Sequence, residues 1–215
     1  MLFLILASPL AQATEWTPES KKVVYVTKTQ AMSATPEQCL AVATDFDGWK
    51  NWTAWTAERD PEAEWTYTNV DGMVGDEMTW NGPELDSGRT VITGYTAASE
   101  GTAGVMDFTT FFGKKQTPSM GRITCAPGAD GGTQATWEFQ MKAGLMTRMF
   151  RGSIEKAIGG DFVVGLAGLT EVAESLKAPE PAPVVVPPAD EPMPEPTPEE
   201  PVVEEPAVEE PAPVQ

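Results

Sequence analysis

The sequence contains no histidine among its 215 residues. Histidine is the usual general base near neutral pH, a member of serine and cysteine catalytic triads, and the commonest metal ligand in proteins. Its absence excludes histidine-based triads, histidine-ligated metal sites and histidine general bases. We therefore assign no catalytic residue, no metal ligand and no cofactor from the sequence.

Cysteine is also scarce, since Cys39 and Cys125 are the only two in the chain. In an oxidising compartment they could pair, and two separate buried thiols fit the spacing equally well. The sequence leaves both alternatives open.

Basic residues are few: 14 Lys and Arg stand against 32 Asp and Glu, giving a formal charge of −18. Ten of the acids lie in residues 178–215, which hold no Lys or Arg, so the rest of the chain carries −8. A domain of this charge repels phosphate backbones, and it shows no basic stripe. We expect no nucleic-acid partner.

Residues 178–215 also contain thirteen of the twenty prolines and no aromatic residue, and VEEPA occurs in them twice. Proline removes backbone donors, and repulsion between glutamates extends the chain. The composition predicts a disordered, Pro/Glu-rich acidic tail that acts as a semi-rigid spacer. A solubilising tail and a docking peptide are both consistent with it.

The start of the chain, MLFLILASPLAQA at 1–13, has an apolar run too short to span a bilayer. It ends in Ala11-Gln12-Ala13, the small-x-small pattern of a signal-peptidase site, although the usual basic residues before the run are missing. We expect a cleaved signal and a periplasmic or secreted protein. A membrane-anchored protein is the alternative if the natural chain starts further upstream, and it would place the domain near a membrane.

The region between these ends, residues 14–177, has the pattern of one α+β domain. A β-rich run at 21–32 precedes a helix that Ser33 or Thr35 can cap, with Pro36 in its first turn. Turn residues then separate β-like runs, which predict an antiparallel meander; these runs lie at 73–80, 88–97, 102–112, 120–126 and 133–143. Large apolar residues alternate with polar ones along them, so one sheet face is aromatic and Met-rich.

The last predicted element is a long helix over 145–176. Apolar residues recur every three or four positions, as expected for one buried helical face; they are Met146, Phe150, Ile154, Ile158, Phe162, Leu166, Leu169, Ala173 and Leu176. Gly159-Gly160 interrupts the pattern and predicts a bend, after which Asp161 could cap a second helical piece.

Several segments together resemble one known family. They read DFDGWKNWTAW, GMVGDEMTWNG, GGTQATWEFQM and IGGDFVVGLAGLTEVAES. The pattern resembles the polyketide cyclase/dehydrase-like branch of the SRPBCC (START-like, helix-grip) superfamily over about residues 20–177. The resemblance implies an antiparallel β-sheet wrapped around a long C-terminal α-helix, with one or two short helices after the first strand and an internal cavity for hydrophobic ligands.

The same resemblance gives an interpretation of the tryptophan-rich segment at 45–65, which would cross one end of the cavity. We expect Trp49 and Trp52 to plug that end as part of the core. For Trp55 and Trp65 the sequence leaves two interpretations open, a plug and a lid.

The functional hypothesis is binding of a small hydrophobic or amphipathic, lipid- or polyketide-like ligand between the sheet and the C-terminal helix, without covalent chemistry. Because large side chains dominate the inward positions, we expect a small cavity. The predicted ligand-binding residues are Trp55, Trp80, Met106, Phe108, Phe112, Trp137, Phe139, Met141, Met146, Met149, Phe150, Ile154, Ile158 and Phe162.

Two alternatives remain. One is an enzyme of the cyclase or dehydratase type that uses tyrosine or carboxylate groups, and its candidate acids are Asp45, Asp47, Asp76, Glu77, Asp107, Glu138 and Asp161. The other is an envelope adaptor that acts through the Pro/Glu tail. The sequence leaves the oligomeric state open.

Overall fold

A computed structural model describes residues 16–68 and 71–176 of the chain. The predicted signal segment at 1–13 and the predicted tail at 178–215 lie outside the described residues. Within the described part, no helix is long and apolar enough to cross a membrane.

The described residues form one seven-stranded sheet in the order β1-β7-β6-β5-β4-β3-β2, and every neighbouring pair is antiparallel. The predicted antiparallel sheet is confirmed. Its strands are β1 (Val23–Met32), β2 (Glu64–Thr68), β3 (Glu77–Gly82), β4 (Asp86–Thr96), β5 (Gly104–Phe112), β6 (Thr117–Pro127) and β7 (Thr133–Lys142).

Strand β2 was missed by the sequence analysis. It is only five residues long and pairs on one side alone, with β3. Its inward residues Trp65 and Tyr67 are half-buried and alternate with exposed residues, but only over these five positions. Short edge strands of this kind carry little periodic signal.

Four helices accompany the sheet in the described residues: α1 (Pro36–Thr44), α2 (Trp49–Trp52), α3 (Leu145–Met149) and α4 (Arg151–Ser175). The hydroxyl of Thr35 accepts a hydrogen bond from the backbone N–H of Gln38, and the Gln38 side chain accepts one from the backbone N–H of Thr35. This capping box, followed by Pro36, fixes the start of α1 as the sequence predicts.

The long C-terminal helix breaks at Phe150 and not at Gly159-Gly160, so the second helical piece predicted after the two glycines is wrong. Phe150 ends α3 and precedes α4, whereas α4 runs unbroken through both glycines. An added Cβ at Gly159 would lie 3.0 Å from Cε of Lys28, the flexible end of an exposed side chain on β1, and one at Gly160 would have nothing within 4 Å.

The core lies between the inner face of the sheet and α4. From α4 it takes Phe162, Leu166, Leu169 and Ala173, all buried. Helix α1 closes one end, and its Cys39 forms a disulfide with Cys125 of β6 across a Cα–Cα distance of 6.0 Å. The paired alternative for the two cysteines is therefore the correct one.

Candidate functional site

A cavity of about 320 Å³ lies between α4 and the inner face of the sheet. Six apolar side chains and one carboxylate line it; they are Trp55, Phe112, Phe139, Met141, Ile158, Phe162 and Asp161. The six apolar residues all belong to the set named from the sequence. A small cavity was expected, and this volume is near the lower end of the usual range for ligand pockets, about 300–1,000 Å³.

The sheet side of the cavity is made by β5 and β7. Phe139 and Met141 are two residues apart on β7 and therefore face the same way. The ring of Phe112, at the end of β5, makes an edge contact with Phe139 across 6.4 Å between centroids. These positions follow from the alternation in the sequence.

The helix side is made by Ile158 and Phe162, which are one turn apart on α4 and so project from one face. The ring of Phe162 makes an edge contact with Phe139, with centroids 6.2 Å apart. Rings from the helix and the sheet thus meet at the bottom of the cavity.

Trp55 closes the cavity from the segment after α2. Its ring stacks on Trp80 with centroids 6.1 Å apart and planes inclined by 18°, and its edge meets Phe112. Trp55 is half-buried, whereas Trp80 is buried. Trp55 therefore lines the cavity and packs on the core at the same time, and the choice between a plug and a lid stays a prediction.

Trp49 and Trp52 behave as the predicted plug. Both are buried, and both rings contact Trp137. The indole N–H of Trp49 donates to the carbonyl oxygen of Ala43 at 2.7 Å, which fixes α2 against the end of α1. Trp65, the fourth tryptophan of this segment, packs beside Trp80 on the edge strand.

Four of the predicted ligand-binding residues lie behind the cavity wall: Trp80, Met106, Phe108 and Trp137. Met106 is fully buried, and the ring of Phe108 lies directly over Gly121 on the next strand. Ile154 packs half-buried against the core and does not line the cavity either. The periodic pattern in the sequence shows that these side chains point inward, but it does not give their distance from the cavity.

The interior position predicted for Met146, Met149 and Phe150 is wrong. Their exposed fractions are 64%, 69% and 54%. The prediction extended the phase of α4 back through residue 145, but the break at Phe150 separates α3, which has no buried residue. The same helical spacing therefore faces solvent in α3 and the core in α4.

Asp161 stands at the mouth of the cavity. Its Oδ1 is 3.7 Å from Nη1 of Arg59, with exposed side-chain fractions of 38% and 48%. The same Arg59 nitrogen donates to the carbonyl oxygen of Ala54 at 3.3 Å. The helix cap predicted for Asp161 is wrong, because α4 is already helical at that position.

The other candidate acids have partners elsewhere. Asp76 is buried and accepts hydrogen bonds from the backbone N–H groups of Gly72 at 2.6 Å and Met73 at 3.2 Å, which closes the loop before β3. Asp45 accepts from the backbone N–H of Gly48, and Asp47 pairs with Lys50. None of these carboxylates is among the residues that line the cavity.

The acids on the outer face of the sheet form cross-strand pairs. Glu77 pairs with Arg89 and Asp107 with Arg122. The remaining one, Glu138, accepts a hydrogen bond from the hydroxyl of Tyr25 at 2.5 Å. Burial, followed by this hydrogen bond, raises the pKa of Tyr25 to about 12.

A wider groove of about 780 Å³ lies on the same outer face, and its lining includes Trp16, Arg89 and the Asp107–Arg122 ion pair. The guanidinium groups there also lie over aromatic rings, Arg89 over Phe111 and Arg122 over Trp16. Because these charges already satisfy one another, the inner cavity is the stronger candidate for a ligand site.

A row of hydroxyl groups crosses the inner face beside the cavity. The hydroxyls of Thr90 and Thr110 lie 2.9 Å apart and share a hydrogen bond. Ser119 is next in the row and is opposite Met141 in the register. Its hydroxyl is buried and has no hydrogen-bond partner among the described residues. No group of three or more potential metal ligands occurs in the same part of the chain.

Comparisons with known proteins agree with this architecture. The profile of a family described as polyketide cyclase / dehydrase and lipid transport matches residues 23–174. No curated protein matches the sequence significantly.

Solved structures show the same fold at low sequence identity. A protein of unknown function from Staphylococcus aureus, SA2116, has a TM-score of 0.56 and 14% identity, over 71% of this chain and 94% of its own. The di-domain ARO/CYC StfQ from the steffimycin biosynthetic pathway has a TM-score of 0.55 and 10% identity, over 72% of this chain and 51% of its own. Hypothetical protein jhp0584 from Helicobacter pylori has a TM-score of 0.52 and 8% identity, over 78% and 99%.

Proposed function

The chain belongs to the polyketide cyclase / dehydrase and lipid transport family, and from that premise we propose that it binds a small apolar or amphipathic molecule in the cavity between α4 and the sheet. Binding is by burial and involves no covalent step. The family covers both carriers and cyclases, so membership alone does not choose between them.

The observation that carries the proposal is the cavity itself. Its lining is apolar apart from Asp161, and it lies between two rigid elements, α4 and the sheet. A ligand that buries about 250 Å² of apolar surface gains about 6 kcal/mol from desolvation, before the costs of association. That gain alone corresponds to a dissociation constant of about 40 μM, and the costs of association weaken it, so we expect affinity between high micromolar and millimolar for a simple apolar probe.

A cavity-filling variant tests the proposal. N-phenyl-1-naphthylamine, a neutral dye that fluoresces in apolar surroundings, should bind the natural protein. Ile158→Trp places a large ring inside the cavity and should weaken binding at least about tenfold, since the dye loses the space it needs. Val163→Trp adds the same ring at an exposed position of the same helix and should leave binding unchanged.

Thermal unfolding of both variants confirms that they fold. Equal dye binding by a folded Ile158→Trp protein would place the dye elsewhere and contradict the proposal. Native mass spectrometry of protein purified from its own host then identifies any bound molecule.

An enzymatic use of the same cavity is the second candidate, and Asp161 is the observation in its favour. It is the carboxylate that lines the cavity, so a general acid or base acting on a bound ligand would have to be this group. Turnover of a polyketide-like substrate that Asp161→Asn abolishes, with ligand binding retained, would support catalysis.

Export is also part of the proposal, and the disulfide between Cys39 and Cys125 supports it, because such bonds persist in oxidising compartments. Trapping of free thiols in intact host cells, followed by labelling under denaturing conditions, tests it. A protein whose two cysteines label completely would contradict export.

The adaptor hypothesis concerns residues 178–215, which lie outside the described residues. Deletion of that segment tests it. A host phenotype that survives the deletion would remove the adaptor role and leave the domain as the functional part.

A further inference from the structure

We propose that the mouth of the cavity selects ligands by charge, favouring a protonated amine or another hydrogen-bond-donating head group over a carboxylate, and that Asp161 makes this selection. The inference rests on the proposed function, because it concerns the head group of a ligand whose apolar body occupies the same cavity.

The position of Asp161 is the first step. It lies three residues after Ile158 and next to Phe162 on α4, so one turn of helix supplies two apolar contacts and the carboxylate. Among the described residues that line the cavity, it is the only charged one. A ligand with its apolar body against Ile158 and Phe162 therefore brings its head group to this carboxylate.

The availability of Asp161 is the second step. Its distance of 3.7 Å from Nη1 of Arg59 is too long for a hydrogen bond. Both side chains are well exposed, and ion pairs of this kind contribute little. Arg59 is also held by the carbonyl oxygen of Ala54. The carboxylate oxygens thus keep their capacity to accept hydrogen bonds from a ligand.

The field of the whole chain acts in the same direction. Without residues 178–215 the chain still carries a formal charge of −8, which attracts cations and repels anions during approach, although salt screens this effect. A carboxylate ligand would meet both this field and Asp161. A short-chain or aromatic amine would meet two attractive interactions, and a neutral alcohol would form the hydrogen bond alone.

The test uses three probes with one common body: 2-naphthylmethylamine, 2-naphthylmethanol and 2-naphthylacetate. Their dissociation constants are measured by calorimetry at low and at physiological salt. For the natural protein we expect the order amine, alcohol, carboxylate from tightest to weakest, with about fivefold between the amine and the alcohol.

Three variants separate the local effect from the general one. Asp161→Asn should remove most of the preference for the amine while retaining the alcohol. Glu171→Gln removes one negative charge from an exposed position on the same helix and should leave the preference nearly unchanged. Arg59→Gln removes the competing guanidinium and should increase the preference.

Each outcome has a clear consequence. If all three probes bind but Asp161→Asn leaves their ratios unchanged, the inference about the mouth fails and the proposed function stands. If Glu171→Gln alters the ratios as much as Asp161→Asn, the selection is general and the inference also fails. If none of the probes binds, the proposed function and the inference both fail.

Discussion

The indole ring of Trp137 on β7 stacks on the phenyl ring of Phe162 on α4, with centroids 4.3 Å apart and planes inclined by 11°. Phe162 also lines the cavity. One contact therefore holds the helix against the sheet and fixes a wall of the candidate site. Stability and ligand binding share this residue, so the predictions below for the fold use positions outside the cavity lining.

The first prediction concerns two glycines of α4. Gly168 lies against the backbone of α2, where an added Cβ would come within 2.3 Å of the carbonyl oxygen of Trp52. Gly168→Ala should therefore lower the free energy of unfolding by about 2 kcal/mol or more, since backbone must shift. Gly160 has nothing within 4 Å of such a Cβ, and Gly160→Ala should raise it by up to about 1 kcal/mol.

Urea unfolding of both variants measures these changes. If both substitutions changed the free energy of unfolding equally, helix propensity rather than close packing would determine the effect of alanine at both positions.

The second prediction concerns the disulfide. Cys39 and Cys125 are 86 residues apart in sequence, so the bond closes a long loop in the unfolded chain. Replacing both by alanine should lower the free energy of unfolding by about 2–5 kcal/mol. Reductant should destabilise the natural protein by a similar amount and leave the double variant unchanged. A natural protein that reductant does not affect would contradict a structural role for the bond.

The third prediction concerns the hydroxyl row beside the cavity. Ser119→Ala removes a buried hydroxyl without a partner in the described residues and should raise the free energy of unfolding by up to about 1 kcal/mol. Thr110→Val has the opposite effect, because it leaves the hydroxyl of Thr90 unpaired and should cost about 1–2 kcal/mol. A loss of stability in Ser119→Ala would mean that its hydroxyl has a partner.

The fourth prediction is the pH dependence due to Tyr25, whose pKa burial and the hydrogen bond to Glu138 raise from 10.0 to about 12. Above pH 10 the unfolded chain loses this proton while the folded chain keeps it. The stabilisation is therefore complete below pH 10 and is lost as the pH rises towards 12.

The difference in unfolding free energy between the natural protein and Tyr25→Phe should shrink over that range. Urea titrations from pH 9 upward, where stability is still complete, measure it. Tyr95→Phe, at an exposed position of the same sheet, controls for the loss of a phenol. A difference that stays constant would mean that Tyr25 gains nothing from its surroundings.

Much of the fold could be predicted because its signals are local. The capping box at Thr35 and Gln38 and the alternation through Trp137, Phe139 and Met141 each depend on a few adjacent residues. The family profile and the structure confirm the expected superfamily and its α+β helix-grip architecture. The edge strand β2 was missed because it has only five residues and because Trp65 was assigned to the tryptophan-rich segment expected to cross one end of the cavity.

The candidate site could be predicted only in part. Six apolar lining residues were named from the sequence, and the structure brings them together around one cavity. Met146, Met149 and Phe150 were also named as ligand-binding residues, but their side chains are exposed. Asp161 was named as a helix cap and as one of seven candidate acids, but not as a cavity-lining residue, since nothing local shows that a carboxylate on α4 faces an opening.

The sequence by itself determined which residues alternate along the strands and where α1 starts, because these properties depend on neighbours within a turn or a strand. Tertiary structure alone decided that Cys39 meets Cys125, that the helix breaks at Phe150 and not at Gly159, and that Asp161 stands at a mouth. Each of these depends on how closely distant strands and helices approach one another, and no spacing along the chain measures that distance.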